Sequence, residues 1–198
     1  IGILFSVAAI VGALLLAFLP LLLRSWGQLF VTRAAILFTI LSIIGMAFSQ
    51  SAGQIGLFFI LFYAVELALW VLLDLYLEHV STTKATGDIR GHYLTINAIA
   101  FAISPLIVGN IVASLGYPPV YVISSLLLVP LFFVLTTKIG TVAQEKFVRA
   151  NPLTGFFKIW KNKNILSIAS TNLLLEIFYS IMVIYTPIYL HTSVGLPW

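Results

Sequence analysis

Six long apolar segments constrain the fold of this chain more than any other feature of its sequence. A helix needs roughly 20 apolar residues to cross a hydrocarbon core of about 30 Å. Segments of that kind occur at residues 1–22, 29–49, 55–79, 93–116, 117–137 and 165–190. Because lipid offers backbone groups no hydrogen-bond partner, a span must be a helix or part of a closed barrel. These segments are longer and more continuously apolar than barrel strands of about 10 alternating residues. The sequence therefore predicts an all-α polytopic membrane protein with six transmembrane helices.

The composition is that of a chain surrounded by lipid. Hydrophobic residues make up 61% of the 198 residues and charged residues only 8%, whereas soluble domains carry about 25% charged residues. The net charge is +4, but its distribution favours the lipid bilayer as a partner and not nucleic acid. Cysteine is absent, and no metal-ligand spacing occurs. We therefore expect neither a metal site nor a cofactor.

All ten basic residues fall in alternate loops, at 23–33, 80–92 and 138–164. Cytoplasmic loops carry an excess of Lys and Arg. The pattern therefore predicts that these three loops are cytoplasmic and that both ends of the chain are external, as in a multi-pass protein of the cell membrane.

The segment 138–164 separates two parts of the chain. We predict a transmembrane bundle at 1–137 and a further transmembrane helix within 165–198. Within the segment, Leu153–Trp160 combines aromatic and basic residues, which is typical of an interfacial helix under the membrane; a flexible tether is the alternative. Because Ile1 already lies in an apolar run, we expect that part of the chain is missing at its start.

Acidic residues inside predicted spans are the strongest candidates for function, because charge at bilayer depth is costly. They are Glu66, Asp74 and Glu176. At 100° per residue, Glu66 and Asp74 share an arc of about 80° with Tyr63 and Trp70. In the last span, an arc of roughly 100° contains Glu176 together with Asn172, Tyr179 and Ser180.

These two polar faces predict a shared aqueous cavity. A carboxyl group withdrawn from water favours its protonated form, so Glu66 and Glu176 could bind and release a proton. Alternatively, a cationic substrate could hold the carboxylate, or the group could stay neutral and bond to a neighbouring helix. Asp74 lies nearer the inner face, where hydration or a loop Arg could account for it.

Small residues and prolines indicate where helices bend or approach one another. Ser104-Pro105 with Gly109 is expected to break the fourth span and to admit a neighbouring helix. Pro130 and Pro187 are expected to kink the fifth and sixth spans. Enzyme signatures such as HExxH, GxSxG and the P-loop are absent from the sequence, so we do not expect an enzyme.

Two stretches resemble the major facilitator superfamily. The sequence GDIRGHY at 87–93, followed by SPLIVG at 104–109, is similar to a cytoplasmic loop with Gly and Arg (here Arg90) that precedes a Gly-Pro-rich helix (here Pro105 and Gly109). The sequence PLLLRSWG at 20–27 resembles the loop after family helix two, with Arg24 and Gly27 as its basic residue and glycine. Leu23 stands where the family carries an acid, so a charge relay on this loop is not implied.

The resemblance implies a bundle of the major facilitator type that covers family helices two to seven. The segment 138–164 would then be the central loop, and the first helix and the remainder of the same chain would be missing. The spans that carry Glu66 and Glu176 would be helices four and seven, which line the central cavity in that fold.

The sequence as a whole predicts a secondary active transporter that moves a small-molecule substrate by alternating access. Proton coupling, as symport or antiport, is one way in which its acids could act. A membrane-embedded enzyme for lipid-linked substrates and a non-transporting receptor or assembly subunit are the alternatives.

Overall fold

The computed structural model describes residues 2–80, 86–135, 137 and 162–195. The chain divides into two compact units, Ile1–Phe147 and Val148–Trp198, and each unit is described by itself. The predicted interfacial helix at Leu153–Trp160 lies outside the described residues. The described residues form six long helices, which are α1 (Gly2–Trp26), α2 (Gln28–Phe48), α3 (Ala52–Val80), α4 (Thr86–Leu115), α5 (Tyr117–Val134) and α6 (Lys163–Thr192).

The prediction of six apolar helices is confirmed. Each predicted segment coincides with a helix that is long and apolar enough to cross a membrane. The shortest, α5, has 18 residues and is therefore about 27 Å long at 1.5 Å per residue. The described residues contain no strand. The chain thus has the helices that a multi-pass membrane protein requires.

The predicted loop at 23–33 is wrong in its extent. Helix α1 continues to Trp26 and α2 begins at Gln28, so a single residue, Gly27, connects them. Gly27 has φ 77° and ψ 156°, a combination that is essentially confined to glycine and costs other residues about 1–3 kcal/mol. The Gly27 N–H still donates to Leu23 O at 2.9 Å. A single glycine therefore connects the two helices in place of the predicted loop. The prediction was wrong because hydropathy indicates where the apolar sequence ends and not where a helix ends.

The predicted loop at 80–92 is also shorter than expected, because α4 begins at Thr86. Asp88 lies in the first turn of α4, where a negative charge stabilises the positive end of the helix dipole. The predicted break at Pro105 is likewise not found, since α4 is one continuous helix through that residue. In membrane helices, local adjustments and neighbouring groups can satisfy the backbone that a proline leaves unpaired.

Helix α3 is central to the first unit. It packs against both α1 and α2, while α2 also packs against α5, and α5 against α4. The buried side chains of this core come from α1, α2, α3 and the residue after α5, and they are Leu19, Leu23, Val31, Ala35, Ile36, Leu69, Leu72, Tyr76 and Leu135. In α4, every described side chain is exposed or half-buried. The core therefore fixes α3 more firmly than α4.

Two glycines let helices approach α3 closely. A Cβ atom added at Gly12 would lie 2.6 Å from Leu67 Cδ1, and one added at Gly45 would lie 2.5 Å from the ring of Phe58. A Cβ atom added at Gly109 would meet no atom of the described residues within 4 Å. Among the described residues, no helix approaches α4 closely at Gly109, where such an approach was expected. Close approaches occur instead at Gly12 of α1 and Gly45 of α2.

Helix α2 buries hydroxyl groups without leaving their protons unpaired. Thr32 Oγ1 donates to Gln28 O at 2.8 Å, and Thr39 Oγ1 donates to Ala35 O at 3.0 Å. Such bonds to the carbonyl four residues earlier satisfy a hydroxyl inside an apolar environment. Large apolar side chains on the outside of the helices, such as Phe38 at 60% exposure, are suited to contact with lipid.

The second unit contributes α6. The Asn162 side chain caps its N-terminus by accepting from the N–H groups of Asn164 at 3.0 Å and Ile165 at 3.4 Å. Helix α6 then continues through Pro187 to Thr192. The cap accounts for where this span begins, because Asn is among the preferred residues at a helix N-cap.

Candidate functional site

A cavity of about 300 Å³ lies among α2, α3, α4 and α5. Helix α3 contributes more of its lining than any other helix, including Glu66 at the centre of Ala52–Val80. The side chains that carry polar atoms into this lining are Thr39, Glu66, Trp70, Tyr93 and Ser124. Small-molecule pockets of about 300–1,000 Å³ with a few convergent polar groups are typical ligand sites. The cavity is therefore our candidate site.

Glu66 and Trp70 lie one helical turn apart and interact directly. The Trp70 indole donates a hydrogen bond to the half-buried Glu66 carboxylate. Trp70 is 44% exposed, so the cavity is not sealed. Among the described residues, no basic side chain forms an ion pair with Glu66. The site thus holds one carboxylate whose charge no protein cation compensates within that part of the chain.

Asp74 lies two turns further along α3 and borders a second cavity of about 240 Å³. Arg90 Nη2 on α4 lies 3.3 Å from Asp74 Oδ1 and 3.4 Å from Oδ2. The pairing with an Arg that the sequence allowed for Asp74 is therefore the arrangement found. It links α3 to the N-terminal part of α4.

Tyr93 on α4 lines both cavities. The cavity around Glu66 and the one beside the Asp74–Arg90 pair are therefore neighbours that share one aromatic side chain. Glu66, Trp70 and Asp74 form a polar path along α3. Glu66 and Asp74 are about 12 Å apart along the helix axis, and Tyr93 of α4 lies beside this path.

Tyr63 lies elsewhere, although the helical period places it on the same arc of α3. Its ring stacks on Phe59 at 6.0 Å between centroids and meets Phe5 of α1 edge-on at 5.9 Å. Aromatic pairs with these separations stabilise helix contacts by about 0.5–1.5 kcal/mol. Tyr63 is not among the residues that line the cavity, so it fastens α1 to α3.

The residues predicted on α6 all belong to the second unit. Asn172, Glu176 and Tyr179 lie within α6, and Ser180 follows them on the same helix. Their meeting with Glu66 in a shared cavity stays a prediction.

Of the residues that the family resemblance singled out, Arg24 lies in the last turn of α1, and Gly27 forms the joint before α2. Pro105 and Gly109 lie inside α4. Only Arg90 joins the polar path, through its pair with Asp74.

Three polar lining residues, Thr39, Tyr93 and Ser124, and the aromatic Phe62 are not among the residues that the sequence predicts for the site. Tyr93 follows a polar segment that was interpreted as a loop, so its position at a helix face was not considered. Thr39 shares a face of α2 with Thr32, seven residues earlier, and with Gln28, eleven residues earlier. That repeat of polar residues in an apolar span was the signal available for Thr39.

A second groove on the first unit has a different character. Its volume is about 150 Å³, and its lining is almost wholly apolar, for example Leu15, Val31, Phe38 and Leu72. Such a lining suits packing or an acyl chain and offers no group for binding or proton transfer. The carboxylate and hydroxyl groups therefore distinguish the Glu66 cavity as the site with chemistry.

Comparison of the chain with protein-family models, with curated proteins and with solved structures gave no match. Over its described residues, the chain is thus all-helical, with six helices able to span a membrane and, within the first unit, a cavity that contains a carboxylate.

Proposed function

We propose that this chain is part of a secondary active transporter of the major facilitator type that moves a small solute by alternating access. Glu66 acts as its binding or proton-coupling group. The observation that carries the proposal is a carboxylate at the middle of a membrane-length helix, in a cavity to which four helices contribute.

The cost of a charged group at bilayer depth supports this role. Insertion scales assign several kcal/mol to an ionised side chain at a helix centre. A structural glutamate would recover that cost through a cationic partner, as in the Asp74–Arg90 pair, or would stay neutral and bond to a neighbouring helix. Among the described residues, Glu66 has the neutral Trp70 indole as its partner and no cation, and we propose that a proton or a ligand supplies its compensating charge.

The resemblance noted in the sequence extends the proposal to the order of the helices. Helices α1 to α5 would be family helices two to six, and α6 would be helix seven. The basic residues near the α1–α2 joint, Arg24 and Arg33, and the Asp74–Arg90 pair would then face the cytoplasm. Glu66 on α3 and Glu176 on α6 would both belong to helices that line the central pathway.

The proposal is tested by proton-linked flux in proteoliposomes that contain the protein from its complete reading frame. A pH-sensitive dye trapped inside reports proton movement when panels of cationic, neutral and anionic solutes are added outside. We expect one solute class to move protons in the wild type and Glu66→Gln to reduce that signal to background at equal protein content.

The matched control is Asp88→Asn, which also neutralises one carboxylate but lies exposed in the first turn of α4. It is expected to retain wild-type flux. Undiminished flux in Glu66→Gln would reject the role of Glu66. A wild type that moves no solute of any class would instead favour the receptor or subunit alternative.

A further inference from the structure

We propose that the cavity around Glu66 binds a small organic cation with an alkylammonium head group. This inference names the substrate class of the site and rests on the proposed function only for the claim that the bound cation is then transported. It stands on three features of the lining, which are its net charge, its hydrogen-bonding character and its aromatic faces.

The net charge of the site is negative. Among the described residues, Arg90 is the only basic side chain that lines either of the two neighbouring cavities, and Asp74 already neutralises it through contacts of 3.3 Å and 3.4 Å. Glu66 remains as the uncompensated charge. An anionic solute would therefore meet repulsion from Glu66 without a free positive group, whereas a cation supplies the missing counter-charge.

Two of the five polar side chains of the lining, Glu66 and Thr39, present acceptors to the cavity, while the hydroxyl groups of Tyr93 and Ser124 can donate or accept. The Trp70 indole N–H is committed to Glu66, and the Thr39 hydroxyl proton is committed to Ala35 O. What Glu66 and Thr39 present to the cavity is therefore oxygen lone pairs. Such a lining matches a ligand that donates or carries positive charge better than one that must accept hydrogen bonds.

Aromatic and aliphatic side chains make up the remaining walls. Phe62, Trp70 and Tyr93 supply three rings, and a cation over the face of such a ring gains about 0.5–2 kcal/mol. Leucine and isoleucine provide most of the other lining. A hard metal ion needs about six oxygen ligands, and the lining offers too few. The combination of one carboxylate, three rings and an apolar wall therefore selects an alkylated ammonium group.

The test measures equilibrium binding of radiolabelled choline and of the bulkier tetraethylammonium to the protein from its complete reading frame in nanodiscs. The competitor is the neutral carbon isostere of choline, in which a tert-butyl group replaces trimethylammonium. We expect saturable binding of at least one cation and no competition by the isostere, because shape is matched and only charge differs.

Variants locate the binding. Glu66→Gln is expected to weaken cation binding by about tenfold or more, and Trp70→Leu by several-fold, whereas Trp70→Phe retains a ring and loses less. The matched controls are Asp88→Asn and Trp26→Leu, which change an exposed carboxylate and an exposed indole outside this cavity. Both are expected to bind like the wild type.

The charge of a quaternary ammonium does not depend on pH, so any pH dependence of its binding belongs to the protein. If Glu66 is the counter-charge, acidification protonates it and removes the attraction. Affinity is therefore expected to fall as the medium changes from about pH 8 to about pH 4, and this dependence should be lost in Glu66→Gln.

The outcomes separate this inference from the proposed function. Binding of neither cation, equal competition by the neutral isostere, or unchanged affinity in Glu66→Gln would each overturn the cation site. Proton-linked flux that needs Glu66 but occurs with a neutral or anionic solute would overturn the cation site and leave the transporter. Cation binding without any flux would uphold the site and reject the transporter.

Discussion

The Asp74–Arg90 pair allows a prediction whose size follows from its geometry. One guanidinium nitrogen of Arg90 reaches both oxygens of Asp74, at 3.3 Å and 3.4 Å, so the contact lacks the two parallel bonds of the strongest Arg–carboxylate pairs. The side chains of Arg90 and Asp74 are 49% and 59% exposed. Solvent therefore screens the attraction, and we expect a coupling free energy of about 0.2–1 kcal/mol.

A double-mutant cycle measures this coupling. The free energy of unfolding is determined in bicelles for the wild type, Asp74→Asn, Arg90→Gln and the double variant, and the non-additive part is the pair energy. We expect this part to decrease at high salt, because exposed pairs are screened. A coupling above about 3 kcal/mol, the range of buried pairs, would refute the reasoning from exposure, as would a coupling that salt leaves unchanged.

The same two single variants test the charge balance of the site with opposite signs. Asp74→Asn leaves Arg90 uncompensated beside the cavity, so it should weaken cation binding at Glu66. Arg90→Gln leaves Asp74 uncompensated and should strengthen it. Because the charges lie about 12 Å apart along α3, beyond a Debye length of about 8 Å at physiological salt, each change should be only a few-fold. Shifts in the same direction would contradict the electrostatic argument.

Further predictions concern stability, measured as thermal unfolding in detergent. Gly45→Ala should destabilise the protein by about 1–3 kcal/mol through overpacking, because the new Cβ atom would lie 2.5 Å from the Phe58 ring. The control Gly53→Ala, whose Cβ atom would have no neighbour within 4 Å, should leave stability unchanged. Equal effects of the two variants would contradict the packing argument. Gly27→Ala should cost about 1–3 kcal/mol because the backbone of Gly27 lies in a region essentially confined to glycine, and an unchanged melting temperature would argue against that conformation. Asn162→Ala should lose about 0.5–2 kcal/mol of helix stability with its cap, whereas Asn162→Asp should keep most of it.

The positions of the spans could be predicted from sequence because crossing a membrane demands a long apolar segment, and α1 to α6 coincide with six such segments. The helix ends could not, because residues such as Asp88 and Arg90 are polar and still helical. Hydropathy separates lipid-like from water-like sequence, whereas helix ends depend on local conformations such as the positive φ of Gly27.

Only the part of the candidate site that lies on a single helix, α3, could be predicted from the sequence. The helical period placed Glu66 and Trp70 on one face, and both line the cavity. The same period placed Tyr63 on that face, but the Tyr63 ring packs edge-on against Phe5 of α1 and does not line the cavity. Periodicity specifies the face of a helix and says nothing about which neighbour lies opposite. Tyr93 from α4 could not be predicted because the polar segment before it predicts a loop, whereas α4 begins at Thr86.

The cavity combines a firmly held wall with a loosely held one. Glu66 and Trp70 belong to α3, which packs against both α1 and α2, so the carboxylate has a fixed position. Tyr93 belongs to α4, whose described side chains are all exposed or half-buried and which the exposed Asp74–Arg90 pair ties to α3. If access to Glu66 changes during transport, the smaller free-energy cost lies in moving α4 against α3, because among the described contacts that movement breaks a screened ion pair and disturbs the packing of α4 on α5, and it leaves the buried core intact. The stability of the fold and the opening of the site would then depend on different contacts.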